Sequence, residues 1–172
     1  MRIVGGKWAG RELTSPGGRV RPTAETVRVE AMRLAGDLAG ARVADLYAGT
    51  GALGLEAMSR GARRVDFVEG NPEALHALKA NIAKFHARDR TRIFKRDVLS
   101  FLPGIEQPGY DVAFADPPYQ SKQALRVAEA WLAKPFSRIL LVEHAATLEL
   151  PKGGRAYRFD DTTLTVYRDR GA

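Results

Sequence analysis

Asp45-Leu46-Tyr47-Ala48-Gly49-Thr50-Gly51-Ala52-Leu53-Gly54 decides the fold class of this 172-residue chain, because it sets a GxGxxG between a β-rich run and a helix-like one. Glycines let the backbone turn tightly and approach a ligand without a Cβ clash, while free amides at a helix start favour an anionic group. A pyrophosphate and the carboxylate of a methionine moiety both meet that description. Glu69 closes the next β-rich run and suits a bidentate hydrogen bond to two ribose hydroxyls, which serves either kind of nucleotide cofactor. The loop makes Tyr47, Ala48, Gly49, Thr50 and Gly51 candidate cofactor contacts, joined by Gly70 and Asn71 after Glu69. Asn71-Pro72 reads equally as an ordinary helix start.

Outward from this loop the chain alternates. Short β-rich runs (43–47, 64–69, 91–94, 110–115, 138–143) are separated by helix-like stretches (52–60, 72–85, 98–102, 122–134). Such alternation implies parallel strands joined by right-handed crossovers, hence a doubly wound α/β sheet with helices on both faces. Residues 155–159 and 163–168 break the pattern as two β-like runs joined by a short turn, a C-terminal antiparallel hairpin. The expected fold is a mostly parallel, seven-stranded, Rossmann-like sheet ending in that hairpin, the outline of class I methyltransferases that use S-adenosylmethionine. Upstream, a helix is expected from Thr23, which can cap it, with Val27, Met32, Leu34 and Leu38 on its apolar face and Gly40 as its stop. Residues 1–22, punctuated by Gly5-Gly6, Gly10 and Pro16-Gly17-Gly18, read as a small N-terminal β-hairpin arm appended to a single domain over 23–172.

Two acids lean the cofactor toward S-adenosylmethionine. Asp45 precedes the glycines at the spacing of the methyltransferase loop. Asp97, followed by Val98, comes after the third β-rich run, where a carboxylate could accept from an adenine amine; a plain helix N-cap is the competing reading.

The run 110–115 ends in Asp116-Pro117-Pro118-Tyr119, the most specific signal in the chain. An exocyclic base amine is a weak nucleophile because its lone pair is delocalised into the ring. Two acceptors that hold both amine hydrogens favour a pyramidal nitrogen with its lone pair aimed at a methyl donor. Asp116 supplies one acceptor and the Pro117 carbonyl the other. Pro118 has no amide hydrogen, and each proline restricts the residue before it, so the acceptors are held rigidly. Tyr119 offers an aromatic face for an extruded base, a contact of roughly 1–3 kcal/mol. A strand terminator is the bland reading of Pro-Pro, and it weakens because the motif shares the sheet's carboxyl edge with the glycine loop.

Composition bounds the partners. The formal charge of +7 and pI near 10.0 suit a polyanion, since each cation that meets a phosphate releases counterions. Residues 1–28 hold six basic side chains (Arg2, Lys7, Arg11, Arg19, Arg21, Arg28) against two acids. A second basic cluster, Lys84, Arg88, Arg90, Arg92, Lys95 and Arg96, reads first as a solvated helix end and loop. No run is apolar enough to cross a bilayer, no secretory signal stands at Met1, and the chain has no cysteine, so a cytoplasmic protein without disulfides is expected. His76, His86 and His144 lack metal-ligand spacing, and no metal is expected.

On these residues the chain resembles the RsmD family of guanine-N2 methyltransferases, which modify bacterial small-subunit ribosomal RNA. The likeness runs through Arg2 to Arg11, Arg21-Pro22-Thr23, Asp45 to Glu56, Asp116 to Tyr119 and Leu164 to Arg168. It departs at Val29, where an acid is usual, and at Asp160-Asp161, where a glycine is usual. The resemblance implies that Arg21, Pro22 and Thr23 lie near S-adenosylmethionine. It also implies that the arm, with Arg2, Lys7, Trp8 and Arg11, helps to grip ribosomal RNA or the small subunit, together with Arg28 and Lys122. Trp8 could equally pin the arm to the core. A monomer is expected. The alternatives are methylation of adenine or cytosine amines in DNA, methylation of a protein glutamine amide, an NAD-dependent oxidoreductase, and a non-catalytic RNA-binding protein with the same fold.

Overall fold

The structure, a computed structural model, describes residues 1–15 and 22–171. Helix α1 spans Pro22–Ala35, followed by strand β1 (Arg42–Leu46), α2 (Ala52–Ser59), β2 (Arg64–Val68), α3 (Pro72–Lys84) and β3 (Thr91–Phe94). Then come α4 (Val98–Phe101), β4 (Tyr110–Ala115), α5 (Gln123–Ala133), β5 (Ser137–Ala145), β6 (Arg155–Phe159) and β7 (Thr162–Arg168). The seven strands form one sheet in the order β3-β2-β1-β4-β5-β7-β6. Pairing is parallel from β3 through β5, and β7 runs antiparallel to both β5 and β6.

This order puts a switch point between β1 and β4. The chain winds outward from β1 to β3, returns to β4, and leaves a crevice at the carboxyl ends of the two central strands. Strand period two then sorts the core into layers. Val43, Phe67, Phe114 and Leu141 face α1, α2 and α3, while Ala44, Leu46, Ala113 and Val142 face α4 and α5. Both faces are covered, so the central strands read as nearly continuous apolar runs.

The glycine loop is shaped by close approach. Gly51 takes φ +86°, and a Cβ on Gly54 would sit 2.4 Å from the Phe67 ring. Only hydrogen at Gly54 lets α2 lie against β2.

Several boundaries differ from the sequence expectation, and β5 runs two residues past 143 to Ala145. β1 ends at Leu46 because Tyr47 turns to φ +61°, which starts the loop one residue early. α1 ends before Gly36, whose φ of +80° halts the helix four residues ahead of Gly40, yet Leu38 is still buried beyond it. The last hairpin turns at Asp160, with φ +43°, a left-handed conformation that aspartate tolerates better than most residues.

The largest difference is the N-terminal arm. A single antiparallel bridge joins Arg2 to Glu12, and a 3-10 turn occupies Gly6–Trp8. Far from hanging off the core, its side chains Ile3, Trp8 and Leu13 are buried in the same cluster as α1 and α2. Glu56, fully buried on α2, explains the docking. It accepts from the amides of Val4 (3.0 Å) and Gly5 (2.8 Å) and pairs with Arg28 (3.4 Å) and Arg60 (3.0 Å). Ser59 adds two bonds, accepting from Trp8 N and donating to the Gly5 carbonyl.

Candidate active site

A cavity of about 550 Å³ opens over the switch point. Tyr47, Gly49, Ala52 and Leu53 form one wall, and Asp116 to Tyr119 form another. Phe114, Leu141 and Leu164 make an apolar floor, Glu69 and Glu143 contribute acids, and Met1, Val27, Arg28 and Ala31 close the side where the arm meets α1.

Asp45, expected to touch a cofactor, does not line this cavity. It is 1% exposed, and its Oδ2 accepts from Gly54 N at 2.9 Å, so it braces the loop from beneath. Burial pushes its carboxyl up to about 8, opposed by the Gly54 bond and reinforced by the nearby charge of Glu69. The strand's alternation causes the mismatch: Asp45 points into the α2 side of the sheet, and the turn at Tyr47 begins only after it.

Glu69 is held by two amides. Gly49 N donates to Oε1 at 2.8 Å and Asn71 N to Oε2 at 2.9 Å. The carboxylate is thereby fixed between the glycine loop and the start of α3, with acceptor capacity remaining on each oxygen. Asn71 is the N-cap of α3, its Oδ1 accepting from Glu73 N and Ala74 N. Asp97 likewise caps α4, accepting from Ser100 N (3.1 Å) and Ser100 Oγ (3.2 Å). It is exposed and outside the cavity lining, as are Gly70 and Asn71, while Val98 and Ala48 are buried. Ala48 N ties the loop to the Val68 carbonyl, and the Thr50 carbonyl accepts from Asn81.

Tyr47 carries the loop's unusual feature. Among the described residues its hydroxyl is buried without a hydrogen-bond partner, although the residue lines the cavity. Burial and the charge of Asp97 push the phenol well above its ordinary range. An unmet buried donor costs about 1–3 kcal/mol, so this position favours a ligand acceptor.

Asp116 N donates to the Leu46 carbonyl at 3.3 Å, which joins the Asp-Pro-Pro-Tyr segment to the glycine loop across the β1–β4 seam. Pro117 is buried, Pro118 is exposed, and the Pro118 carbonyl accepts from Ser121 N and Oγ, tightening the turn. Tyr119 lies half-buried with its hydroxyl donating to Glu143 Oε1 at 3.0 Å. Sequence reasoning gave Glu143 no role, although its place at the end of the expected β-rich run 138–143, as Glu69 ends 64–69, was the available signal.

The residues expected on an RNA surface divide. Arg2, Lys7, Arg11 and Lys122 are exposed. Arg28 is not: 4% exposed, it pairs with Glu56 and donates to the Arg2 carbonyl, so its charge is spent inside the protein. Trp8 is 8% exposed and packs on Phe85 with ring centroids 4.8 Å apart, so it pins the arm. Lys7 stacks over Trp8 and Arg11 over Phe85, which gathers cations around the last turn of α3. Arg21 lies outside the described residues, and Pro22 and Thr23 open α1. Among the described residues no cluster of three or more His, Cys, Asp or Glu could hold a metal, and no helix is long and apolar enough to cross a membrane.

Residues 1–162 match the family described as conserved hypothetical protein 95. The chain is similar to ribosomal RNA small subunit methyltransferase D of Escherichia coli K12, 35% identical over 142 residues that cover 77% of this chain and 70% of that protein. The protein of the same name from Haemophilus influenzae is 31% identical over 180 residues, 98% of this chain and 92% of its own. Among solved structures, a hypothetical protein from Thermus thermophilus has a TM-score of 0.83 and 28% identity, covering 98% of this chain and 99% of that one.

Proposed function

This chain belongs to the RsmD family, described as conserved hypothetical protein 95, and from that premise we propose that it transfers a methyl group from S-adenosylmethionine to the N2 amine of a guanine in small-subunit ribosomal RNA. The observation that carries the reading is the meeting of Asp116 to Tyr119 with the glycine loop in one cavity at the switch point. The names of the relatives support the ribosomal RNA substrate, and the resemblance of the motifs supports the N2 position.

The cavity's donor set fits the cofactor. Glu69 suits the ribose hydroxyls, the loop amides suit the amino-acid carboxylate, and the orphaned Tyr47 hydroxyl offers a donor facing an acceptor-rich nucleotide. Arg21, Pro22 and Thr23 are proposed at its edge on resemblance alone. Asp97 and Val98 are proposed near its adenine. When bound, S-adenosylmethionine would supply an electrophilic methyl group on a sulfonium, whose S–CH3 bond breaks in the transfer to leave a neutral thioether.

The protein's share of the chemistry is positioning. The target guanine leaves its stack, at a cost of a few kcal/mol, and enters over Tyr119. Asp116 accepts one amine hydrogen and the Pro117 carbonyl the other, which turns the nitrogen lone pair toward the methyl group. After the N–C bond forms, the surplus amine proton passes to Asp116 or to water. Holding the reacting atoms in line is worth up to about 7–11 kcal/mol. Lys122, three residues past Tyr119, and the arm cations Arg2, Lys7 and Arg11 are proposed to meet phosphates; a monomer is proposed to suffice.

Calorimetry against S-adenosylmethionine and NAD tests the cofactor. Binding of the first and not the second is expected, and Tyr47→Phe is expected to weaken it. Tight NAD binding with none of S-adenosylmethionine would overturn the reading and restore the oxidoreductase.

A further inference from the structure

Glu143 and Asp116 stand side by side at the cavity's inner edge. The parallel register pairs Ala115 with Val142, so Asp116, just past the end of β4, falls level with Glu143, the third residue from the end of β5. Strand period two puts 141 and 143 on one face together with 114 and 116, and all four line the same cavity. The base pocket therefore presents two carboxylates, with the Tyr119 hydroxyl bonded to one of them at 3.0 Å.

Carboxylates only accept hydrogen bonds when ionised, and each has room for about four. A base edge that meets two of them must offer donors at two adjacent positions. Guanine does so, with the N2 amine beside N1–H. Adenine and cytosine pair their amine with a bare ring nitrogen, whose lone pair would face a carboxylate. A pocket of this kind selects by leaving the wrong partner's lone pair against a negative charge as much as by rewarding the right one.

We propose that Glu143 is the residue that selects guanine: its carboxylate accepts from N1–H while Asp116 and the Pro117 carbonyl hold the N2 amine. The Tyr119 hydroxyl, donating to Oε1, fixes the carboxylate's orientation and couples the stacking ring to the reader of the base edge. This assignment rests on the guanine-N2 reading above and adds to it the group that enforces the base.

The test compares guanine with 2-aminopurine at the target position of a small-subunit RNA. The analogue keeps the amine but has a bare N1. A site built on a hydrogen bond rejects the analogue that lacks it by large factors. The wild type is expected to favour guanine by about 100-fold or more in kcat/KM. Glu143→Gln carries an amide that can donate to a bare N1, and it is expected to shrink that ratio at least tenfold while still methylating 2-aminopurine. Loss of O6 in the analogue is common to both enzymes and cancels between the two ratios. Tyr119→Phe, which keeps the stacking ring and the carboxylate but removes the bond that orients it, is expected to weaken the preference for guanine less than Glu143→Gln does. An unchanged ratio in Glu143→Gln, in protein that melts and binds S-adenosylmethionine as the wild type does, overturns the Glu143 assignment alone. Methylation of adenine or cytosine in preference to guanine by the wild type overturns the guanine reading and the assignment with it.

Discussion

Asp116 and Asp45 are both aspartates at strand ends of the central sheet, yet one is exposed in the cavity and the other is sealed under the loop. Their predicted phenotypes differ accordingly. Asp116→Ala is expected to keep the fold and the affinity for S-adenosylmethionine while losing about 100- to 1,000-fold in kcat, the scale of one preorganised partner removed from a transition state. Steady-state kinetics beside cofactor calorimetry checks this, and near-wild-type turnover would show that the acceptor is misassigned. Asp45 has a folded-state pKa of about 8, raised above its unfolded value, so the folded protein holds a proton that the unfolded chain releases. That contribution is fully present below about pH 4 and is lost as pH rises toward 8. Asp45→Asn, which keeps an acceptor for Gly54, is expected to flatten this decline, so denaturation midpoints of the wild type should fall relative to the variant between pH 5 and 8. At this scale the sequence marked Asp116 to Tyr119 and Glu69 through their position after strands. Burial direction was not legible, which is why Asp45 stood among the cofactor contacts and Glu143 stood outside the site.

Elements were legible where periodicity was strong. β3, β4 and β6 fall on the residues expected, and α2, α3 and α5 agree within one residue at each end. Two misses sit where a single dihedral decides, at Tyr47 and Gly36, because hydrophobic pattern carries no information about φ, and a third, the extension of β5 to Ala145, comes from its pairing with β7. The arm was legible in part: Trp8 was read as equally able to pin it to the core, while its long-range contact with Glu56 left no local mark in the sequence. Glu56→Ala strips the buried Arg28 of its partner and frees the Val4 and Gly5 amides. Breaking a buried pair in this way is expected to destabilise the protein by about 3–5 kcal/mol, read from urea unfolding. Met1 lines the cavity, so the loosened arm should also raise KM for the cofactor or the RNA. A change below about 0.5 kcal/mol would mean that the arm is held by Trp8, Ile3 and Leu13 packing alone, and that Glu56 is incidental to it.

For the molecule as a whole, the alternation of strands and helices implied the sheet, and the final hairpin separated it from an all-parallel dinucleotide fold. The strand order could not be read from one chain, because pairing between distant strands leaves no local mark. The net charge of +7 is spread along the chain, and part of its basic excess gathers around the arm and the end of α3, with Lys7 over Trp8 and Arg11 over Phe85. Affinity for RNA is therefore expected to fall with salt, with a log–log slope of about 0.7 per phosphate contact on single strands. Removing Lys7 and Arg11 together should reduce that slope by about 1.4, and a flat salt response in the wild type would refute the charged-arm proposal.

The most direct measurement of the central claim is to incubate the protein with labelled S-adenosylmethionine and unmodified small-subunit particles or their RNA, digest to nucleosides, and identify the labelled product by mass spectrometry. The account predicts N2-methylguanosine at a single site. Label on an adenine or cytosine amine, or none at all despite confirmed cofactor binding and an intact particle as substrate, would contradict it.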